Sequence, residues 1–371
     1  MLSDNLLQIE WISPTVFITL HKCFLKGTWM ANRKPSPLPS RPEAYLGQII
    51  HYMCEIASKG RMTSIDDFDF IWETKLGTIE KNLIESSSGS DLIPLNEKIQ
   101  NYEYKKELSR ISVANILKKR YNTEKKDFGL YQVSEEVHLK NSAMLINGVV
   151  DLIIEREGYI EIVDYKTGTI YETTNVDKKI KKDLITQMHF YAGLYFYCKN
   201  TWPTKLTLIT KTGEYQKIDY TYEHSVQLIT SAQCMMFTIN TVINNSSISE
   251  TKKQELLARP SPKTCYFCEY RPDCIEYINQ RISNEHQNWP IDKFLLIEKI
   301  DPQKNNKVII TGTELASNKK VRVLGIPFEK IKESIMCGDK TALFSLKCHC
   351  KSDERYDWQY DSAIQSIQIM R

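Results

Sequence analysis

The chain has 371 residues, of which 42% are hydrophobic and 26% are charged, with a formal net charge of +3. This length and composition predict a folded protein with a sizeable core and two domains. A membrane or secreted protein is not expected, because no segment approaches the roughly 18 consecutive apolar residues of a membrane span and no charged-then-apolar signal pattern begins the sequence.

The first predicted element is a short N-terminal helix. Ser13 has the residue type of a helix N-cap, and Pro14 has that of the first helical position. Cys23 would therefore lie near the end of this helix. The proline-rich stretch 33–42 then predicts a loop.

The next stretches predict more helices. Residues 43–58 form a helical pattern that contains Gly47-Gln48-Ile49-Ile50-His51. A single histidine on a helix is more often structural than a ligand, so His51 becomes a candidate ligand only through the motifs downstream. Residues 65–120 are also mainly helical, with a break at the polar stretch 86–90.

After a strand at 130–139, two apolar strands joined by a short turn carry the most informative residues. Asp151 lies within the first of them, while Asp164 and Lys166 are two residues apart on the second and project from one face. An ordinary ion pair is the alternative, but the flanking residues are too apolar for an exposed strand. Charges in this setting are costly unless they are paired or bind a metal. A divalent cation with oxygen ligands would offset that cost, and phosphodiester hydrolysis uses such an ion.

The elements after the hairpin complete an alternating α/β order. A helix is predicted over 184–198, a strand over 205–211 and a helix over 222–244. Gln187 and Tyr191 lie one turn apart on the first of these helices, a spacing that by itself indicates only a surface pair.

Taken in this order, these motifs resemble the PD-(D/E)XK nuclease superfamily, in particular its RecB-type branch. The resemblance implies an α/β, restriction-endonuclease-like core with a helical insertion at about 60–128 that caps the active site and can thread a strand. It implies that Lys166 activates the attacking water, that Glu135 or Glu136 gives outer support, and that Gln187 and Tyr191 contact the DNA. The metal, Mg²⁺ or Mn²⁺, would be held by His51, Asp151, Asp164 and the carbonyl of Tyr165.

A second motif is the cysteine pattern C-x2-C-x5-C in the loop 259–275. Cys265, Cys268 and Cys274 are spaced like ligands of a soft metal, and the fourth ligand is missing locally. Zinc with His286 as the fourth ligand fits this spacing as well as an iron–sulfur cluster does.

The resemblance favours the cluster. In the iron–sulfur members of the RecB-type branch, among them AddB-type subunits, CRISPR adaptation nucleases and exonuclease V, one cysteine precedes the nuclease core and three follow it. By this resemblance Cys23, Cys265, Cys268 and Cys274 would hold a [4Fe-4S] cluster that joins the two ends of the domain. Cys348 and Cys350 have no visible partner pair and are expected to be ordinary thiols.

The resemblance ends near residue 288, so the predicted domains are 1–288 and 289–371. The second region contains five strand-like runs, near 294–300, 307–311, 320–326, 341–347 and 363–370, and a short helix near 328–334. This pattern predicts a small β-rich domain, which could be an OB-like barrel or a protein-docking module.

The predicted function is that of a metal-dependent deoxyribonuclease, a single-strand exonuclease in DNA repair, recombination or defence against foreign DNA. The alternative is a DNA-binding subunit that works with a helicase or integrase partner and whose own nuclease is weak or silent. The basic runs 118–120 and 178–182 flank the predicted site and either contact phosphates or form solvated faces. The predicted partner is DNA with a free or single-stranded end, no membrane is involved, and the expected location is the cytoplasm, at the nucleoid.

Overall fold

The computed structural model describes residues 5–85, 92–126, 132–166, 168–172, 178–210, 214–283, 289, 292–331, 335–351, 356–359 and 367–370. These residues form a mixed α/β fold with eleven α-helices and twelve strands. The α-helices are α1 Pro14–Lys22, α2 Phe24–Ala31, α3 Pro42–Ser58, α4 Phe68–Glu85, α5 Leu95–Lys98, α6 Tyr102–Lys126, α7 Lys182–Lys199, α8 Tyr222–Asn244, α9 Glu250–Leu257, α10 Pro262–Cys265 and α11 Ile275–Ser283. The strands are β1 Gln132–Asn141, β2 Ile146–Arg156, β3 Tyr159–Lys166, β4 Lys205–Thr210, β5 Tyr215–Ile218, β6 Lys293–Pro302, β7 Lys307–Glu314, β8 Lys320–Pro327, β9 Lys340–Leu343, β10 Lys347–Lys351, β11 Tyr356–Gln359 and β12 Ile367–Met370.

The first sheet has the order β1-β2-β3-β4-β5 and is antiparallel except for the parallel pair β3 and β4. Helices cover both of its faces, and side chains alternate between the two cores, because successive residues of a strand point to opposite faces. Ile162 packs into the core with α1, α2, α7 and α8, whereas Val163 packs into the core with α3, α4 and α6. The strands are therefore apolar on both faces, as the hairpin sequence predicted.

The N-terminal helix begins as predicted. The Ser13 hydroxyl accepts a hydrogen bond from the Val16 amide, and Pro14 is the first helical residue. The helix ends at Lys22, because Cys23 adopts an extended backbone conformation, and α2 starts directly after it. Cys23 thus sits at a break between two packed helices, where its thiol is fixed in position.

Helix α8 is the one described helix that is long and apolar enough to cross a membrane by length and composition alone. One of its faces packs on α7, where a Cβ added to Gly193 would lie 2.9 Å from Ile229 Cγ1 and 3.1 Å from the Ser225 carbonyl oxygen. Packing on α7 accounts for the buried face of the helix, while 28% of its most apolar window is buried overall.

The second sheet has seven strands in the order β10-β11-β8-β7-β6-β9-β12. The five predicted runs correspond to β6, β7, β8, β9 and β12, but β10 and β11 were missed, because they are only five and four residues long and have no apolar run. Among the described residues the outer strands β10 and β12 do not pair with each other, so the predicted OB-like barrel is not closed. The predicted helix at 328–334 is a 3₁₀ turn, Phe328–Lys330, and residues 332–334 lie outside the described part.

A buried ion pair joins this second sheet to the cysteine loop. Arg271 Nε donates to Asp292 Oδ2 at 2.8 Å, and Tyr277 Oη donates to the same oxygen at 2.6 Å. Asp292 Oδ1 accepts from the Ser345 amide at 2.6 Å, just after β9. Phe294 of β6 also packs into the core of the first sheet. The two sheets are therefore linked by apolar contacts and by a buried charge network.

The first sheet contains its own buried carboxylate, Glu161, which is 7% exposed. It accepts hydrogen bonds from Tyr159 Oη and Thr207 Oγ1, both at 2.5 Å, and lies 2.8 Å from Lys205 Nζ. Burial alone would raise the pKa of this carboxyl, but these three partners outweigh burial and hold the pKa below its usual value.

The depressed pKa predicts a pH-dependent contribution to stability. Because the unfolded carboxyl titrates near 4.5 and the folded one lower, the charged form stabilises the fold above pH 4.5, and this contribution is lost as the pH falls through the folded value. We expect Glu161→Gln to be less stable than the wild type at neutral pH and to lose less stability on acidification. Chemical denaturation over an acid-to-neutral pH series measures this, and parallel pH profiles for the two proteins would contradict it.

Candidate functional site

Two helices on opposite faces of the first sheet both contact β3. Helix α3 comes from one face, and α7 comes from the other. The residues predicted for the metal site and the catalytic site lie on these helices and on the hairpin: His51 on α3, Asp151 on β2, Asp164, Tyr165 and Lys166 on β3, and Gln187 and Tyr191 on α7.

The first pair in this site is Asp151 and His51. Asp151 Oδ2 accepts a hydrogen bond from the Tyr165 amide at 2.8 Å and lies 3.2 Å from His51 Nε2. The hydrogen bond to Asp151 raises the pKa of His51 and outweighs the opposing effect of burial. The backbone of β3 thus fixes the carboxylate, and the carboxylate orients the imidazole.

The second pair is Asp164 and Lys166. Asp164 is 2% exposed, and its Oδ2 lies 2.5 Å from Lys166 Nζ without forming a well-aligned hydrogen bond. Burial raises the pKa of Asp164 to about 6, in spite of the nearby ammonium group. A buried carboxylate with a strongly raised pKa beside a specific charge partner is typical of functional sites.

Gln187 and Tyr191 continue this chain of contacts. Lys166 Nζ donates to Gln187 Oε1 at 2.9 Å, Gln187 Nε2 lies 3.5 Å from Tyr191 Oη, and Tyr191 Oη donates to the Val149 carbonyl at 2.8 Å. Burial raises the pKa of Tyr191, so its phenol remains a donor. A Cβ added to Gly148 would lie 3.3 Å from Tyr191 Cε1, so the glycine lets α7 come close to β2. The contact with Tyr191 thereby orients the Gln187 side-chain amide, whose oxygen accepts the hydrogen bond from Lys166.

The structure brings the predicted polar residues together, but in the described part of the chain no three His, Cys, Asp or Glu side chains are grouped as ligands of one metal ion. The carboxylates are instead paired within the protein, Asp151 with the His51 imidazole and Asp164 with the Lys166 ammonium group. The donor chemistry, two carboxylates and an imidazole around an incompletely bonded oxygen of Asp164, suits a hard divalent cation.

Two acidic residues lie near His51: Glu55 was not predicted, and Glu136 was one of the two candidates for outer support of the site. Glu55 follows His51 by one helical turn and contributes to raising the pKa of that imidazole. Glu136 lines the same open depression as His51 and Glu55, and Lys59 bridges Glu55 at 2.5 Å and Glu136 at 3.2 Å. The spacing His-x3-Glu on a helix was the available signal for Glu55. Glu136 has a left-handed backbone, φ 45°, which no sequence pattern indicated.

The four cysteines also come together. Cys23, Cys265, Cys268 and Cys274 are each 6–8% exposed, are reduced, and line one small cavity with apolar neighbours. Burial raises the pKa of Cys265 to about 12 and also raises the pKa of Cys268 and of Cys274, with the other thiols of the group contributing in each case. Within the described residues their sulfur atoms do not converge as a metal site.

Several other predicted residues cannot be placed. His286, the alternative zinc ligand, lies outside the described residues, as do the side chains of Glu135, Cys348 and Cys350. The basic run 118–120 is described only at Lys118, and the run at 178–182 is described throughout.

Comparison with known proteins agrees with these motifs at the level of the superfamily. The sequence profile of the PD-(D/E)XK nuclease superfamily matches residues 12–275, and no curated protein matches the chain significantly. Among solved structures, the tetrameric p202 HIN2 shares 13% identity over 25% of this chain and 47% of that chain, with a TM-score of 0.18. A murine DNA-binding protein bound to double-stranded DNA shares 9% identity over 65% of this chain and 96% of that chain, also with a TM-score of 0.18. This chain thus covers about half of the length of the first of these structures. TM-scores of 0.18 do not indicate a shared fold.

Proposed function

Since the chain belongs to the PD-(D/E)XK nuclease superfamily, whose members are generally phosphodiester hydrolases that use Mg²⁺ or Mn²⁺, we propose that it is a metal-dependent deoxyribonuclease. One observation carries this proposal: Lys166 Nζ is held between Asp164 Oδ2 and Gln187 Oε1 beside the His51–Asp151 pair. A structural ion pair does not require a third side chain to position the lysine.

These contacts support a proposed role for each residue. His51, Asp151, Asp164 and the carbonyl of Tyr165 would hold the divalent cation, which would neutralise charge on the phosphate and lower the pKa of water. Lys166 orients the attacking water and, as an ammonium donor, stabilises the negative charge of the transition state.

On α7, Gln187 keeps the Lys166 ammonium in place. Tyr191 contacts Gln187 and is itself held by its hydrogen bond to the Val149 carbonyl.

We further propose the RecB-type branch and a single-strand exonuclease activity in repair, recombination or defence. The α4–α6 region supports this, because it forms a helical layer over the α3 side of the site, where a strand could be threaded. The exposed Lys178 and Lys179 just before α7, and Lys182 at its first position, are suited to phosphate contacts, which fits DNA as the substrate. A cytoplasmic, nucleoid location would follow from that substrate.

The decisive experiment is incubation of purified protein with Mn²⁺ and single-stranded or duplex DNA labelled at the 5′ or the 3′ end. The proposal predicts products from single strands, shortened from one end, and no products in EDTA. Binding without cleavage in every metal tested would instead favour the second candidate, a DNA-binding subunit that depends on a helicase or integrase partner.

For the four cysteines we propose a [4Fe-4S] cluster, with zinc as the lesser alternative. Four buried thiols around one small, apolar-walled cavity form a suitable all-sulfur donor set. Because burial raises their pKa values, the unbound thiols stay protonated, and a bound metal would supply the charge that stabilises the thiolates. Such a cluster would tie the α1–α2 break to the loop before α11, more than 230 residues later in sequence.

This proposal predicts a brown protein when purification is anaerobic, with a broad absorbance near roughly 400 nm and near-equal iron and sulfide. Cys23→Ser should bleach the colour and lower the unfolding temperature of the whole first region, because Cys23 closes the longest loop. Cys54→Ser is the matched control, a buried cysteine in the other core. A colourless protein that contains one zinc, and whose unfolding temperature does not change in Cys23→Ser, would contradict the cluster.

A further inference from the structure

A pocket beside the candidate active site lies between α3 and α6. It has a volume of about 210 Å³ and is mainly apolar, with Leu46, Ile50 and Leu108 among its walls. This is smaller than the roughly 300–1,000 Å³ typical of pockets for drug-sized ligands, so it suits a group the size of one aromatic base. Its rim carries one cation and one anion, Lys105 and Glu43.

The pocket is adjacent to the groups proposed to cleave the phosphodiester. Gly47 and Glu43 line both this pocket and the open depression that contains His51. Gly47 precedes His51 by one helical turn, and Gly168, which also lines the pocket, follows Lys166 by two residues. A group inside the pocket would therefore lie within about one nucleotide of a phosphate bound at the site.

A buried hydroxyl in the pocket has no partner among the residues that the structure describes. Ser109 is 2% exposed, and its Oγ makes no hydrogen bond to any of them. Ser112, on the same helix, is equally buried but donates to the Leu108 carbonyl at 2.9 Å, as helical serines often do. A buried polar group without a partner lowers stability, so its retention in an otherwise apolar pocket indicates a ligand that supplies the partner.

We propose that this pocket binds one nucleobase of the substrate strand, next to the phosphate that is cleaved. The inference rests on the proposed nuclease function and makes it more specific. The apolar walls contact the faces of the base, Ser109 Oγ bonds its polar edge, and Lys105 lies at the rim, where the backbone phosphates pass. A base paired in a duplex cannot enter such a pocket without being extruded, so the site selects single-stranded DNA at this position.

The test uses a labelled single-stranded oligonucleotide, intact or with one abasic position moved along the strand. Binding is measured by fluorescence anisotropy in EDTA. With the wild type, we expect one abasic position to weaken binding by about tenfold, and the neighbouring positions to have little effect. Ser109→Ala should lower the affinity for the intact strand by about five- to tenfold. For the strand with that abasic position, the variant and the wild type should have the same affinity.

Stability gives a second, independent readout. Ser109→Ala should unfold at the same temperature as the wild type or higher, because it removes an unpaired buried hydroxyl, whereas Ser112→Ala should not change DNA affinity. Leu108→Trp, which fills the pocket, is the second variant and should also abolish the dependence on the abasic position.

The two proposals fail differently. If the protein cleaves these strands in Mn²⁺ but no abasic position changes its affinity for them, the base pocket alone is overturned. Equal losses of affinity in Ser109→Ala and Ser112→Ala would overturn it too. If none of the metals tested supports cleavage, the nuclease function is overturned instead.

Discussion

Replacing Lys166 by methionine or Asp164 by asparagine is expected to lower metal-dependent cleavage of DNA by about 10³-fold or more, since each removes a charge that stabilises the transition state. Methionine preserves the length of the lysine side chain, and asparagine preserves the shape of the aspartate. Initial rates on end-labelled single-stranded DNA measure the effect. DNA binding in EDTA should persist, because the strand contacts other residues too.

The controls separate loss of chemistry from loss of fold. Lys253→Met is the matched lysine variant, since Lys253 is also partly buried and paired, 2.6 Å from Glu250, but lies on α9. It should cleave at the wild-type rate. Asp164→Asn should unfold at or above the wild-type temperature in EDTA, because burial already disfavours the charged form of this residue. Undiminished cleavage by either site variant would refute the assigned roles.

The elements that carry this site could be predicted because their signals are local. The apolar run of β3 matches the observed strand 159–166, and the two-residue spacing of Asp164 and Lys166 placed both on one face, where they pair. The helix predicted over 43–58 is α3, and Gln187 and Tyr191 are one turn apart on α7. Each of these inferences depends on residues close in sequence. The prediction that α3, the β2–β3 hairpin and α7 form one site came from the family resemblance and not from residue spacing.

What could not be predicted depends on contacts between distant residues. The sheet order β10-β11-β8 requires a parallel pair between β8 and β11, strands that two other strands separate in sequence. The pocket at Ser109 appears only when α6 lies against α3, and nothing about Ser109 distinguishes it from Ser112 in the sequence. The sequence around Asp292 carries no signal of its buried role, because its partners lie 21, 15 and 53 residues away.

Asp292 leads to the largest stability effect that we expect. It is fully buried and neutralises Arg271, whose guanidinium also donates to the carbonyls of Cys265 and Cys268. Removing one member of a buried ion pair leaves the other charged and without its partner, which typically costs about 3–5 kcal/mol. Asp292→Ala should therefore lower the free energy of unfolding by about that amount. Because Arg271 holds the cysteine loop, the loss should extend to that loop as well as to the second sheet.

Chemical denaturation measures this change, and hydrogen exchange at Cys265, Cys268 and β6 shows whether the loop and the second sheet loosen together. The matched control is Asp301→Ala, which breaks an exposed pair 2.7 Å from Lys299 and should cost less than about 1 kcal/mol. Replacing both members of the buried pair, Arg271→Met with Asp292→Leu, should recover part of the loss, because no charge is then left buried. A loss for Asp292→Ala no larger than that of Asp301→Ala would show that the network does not hold the second sheet to the cysteine loop.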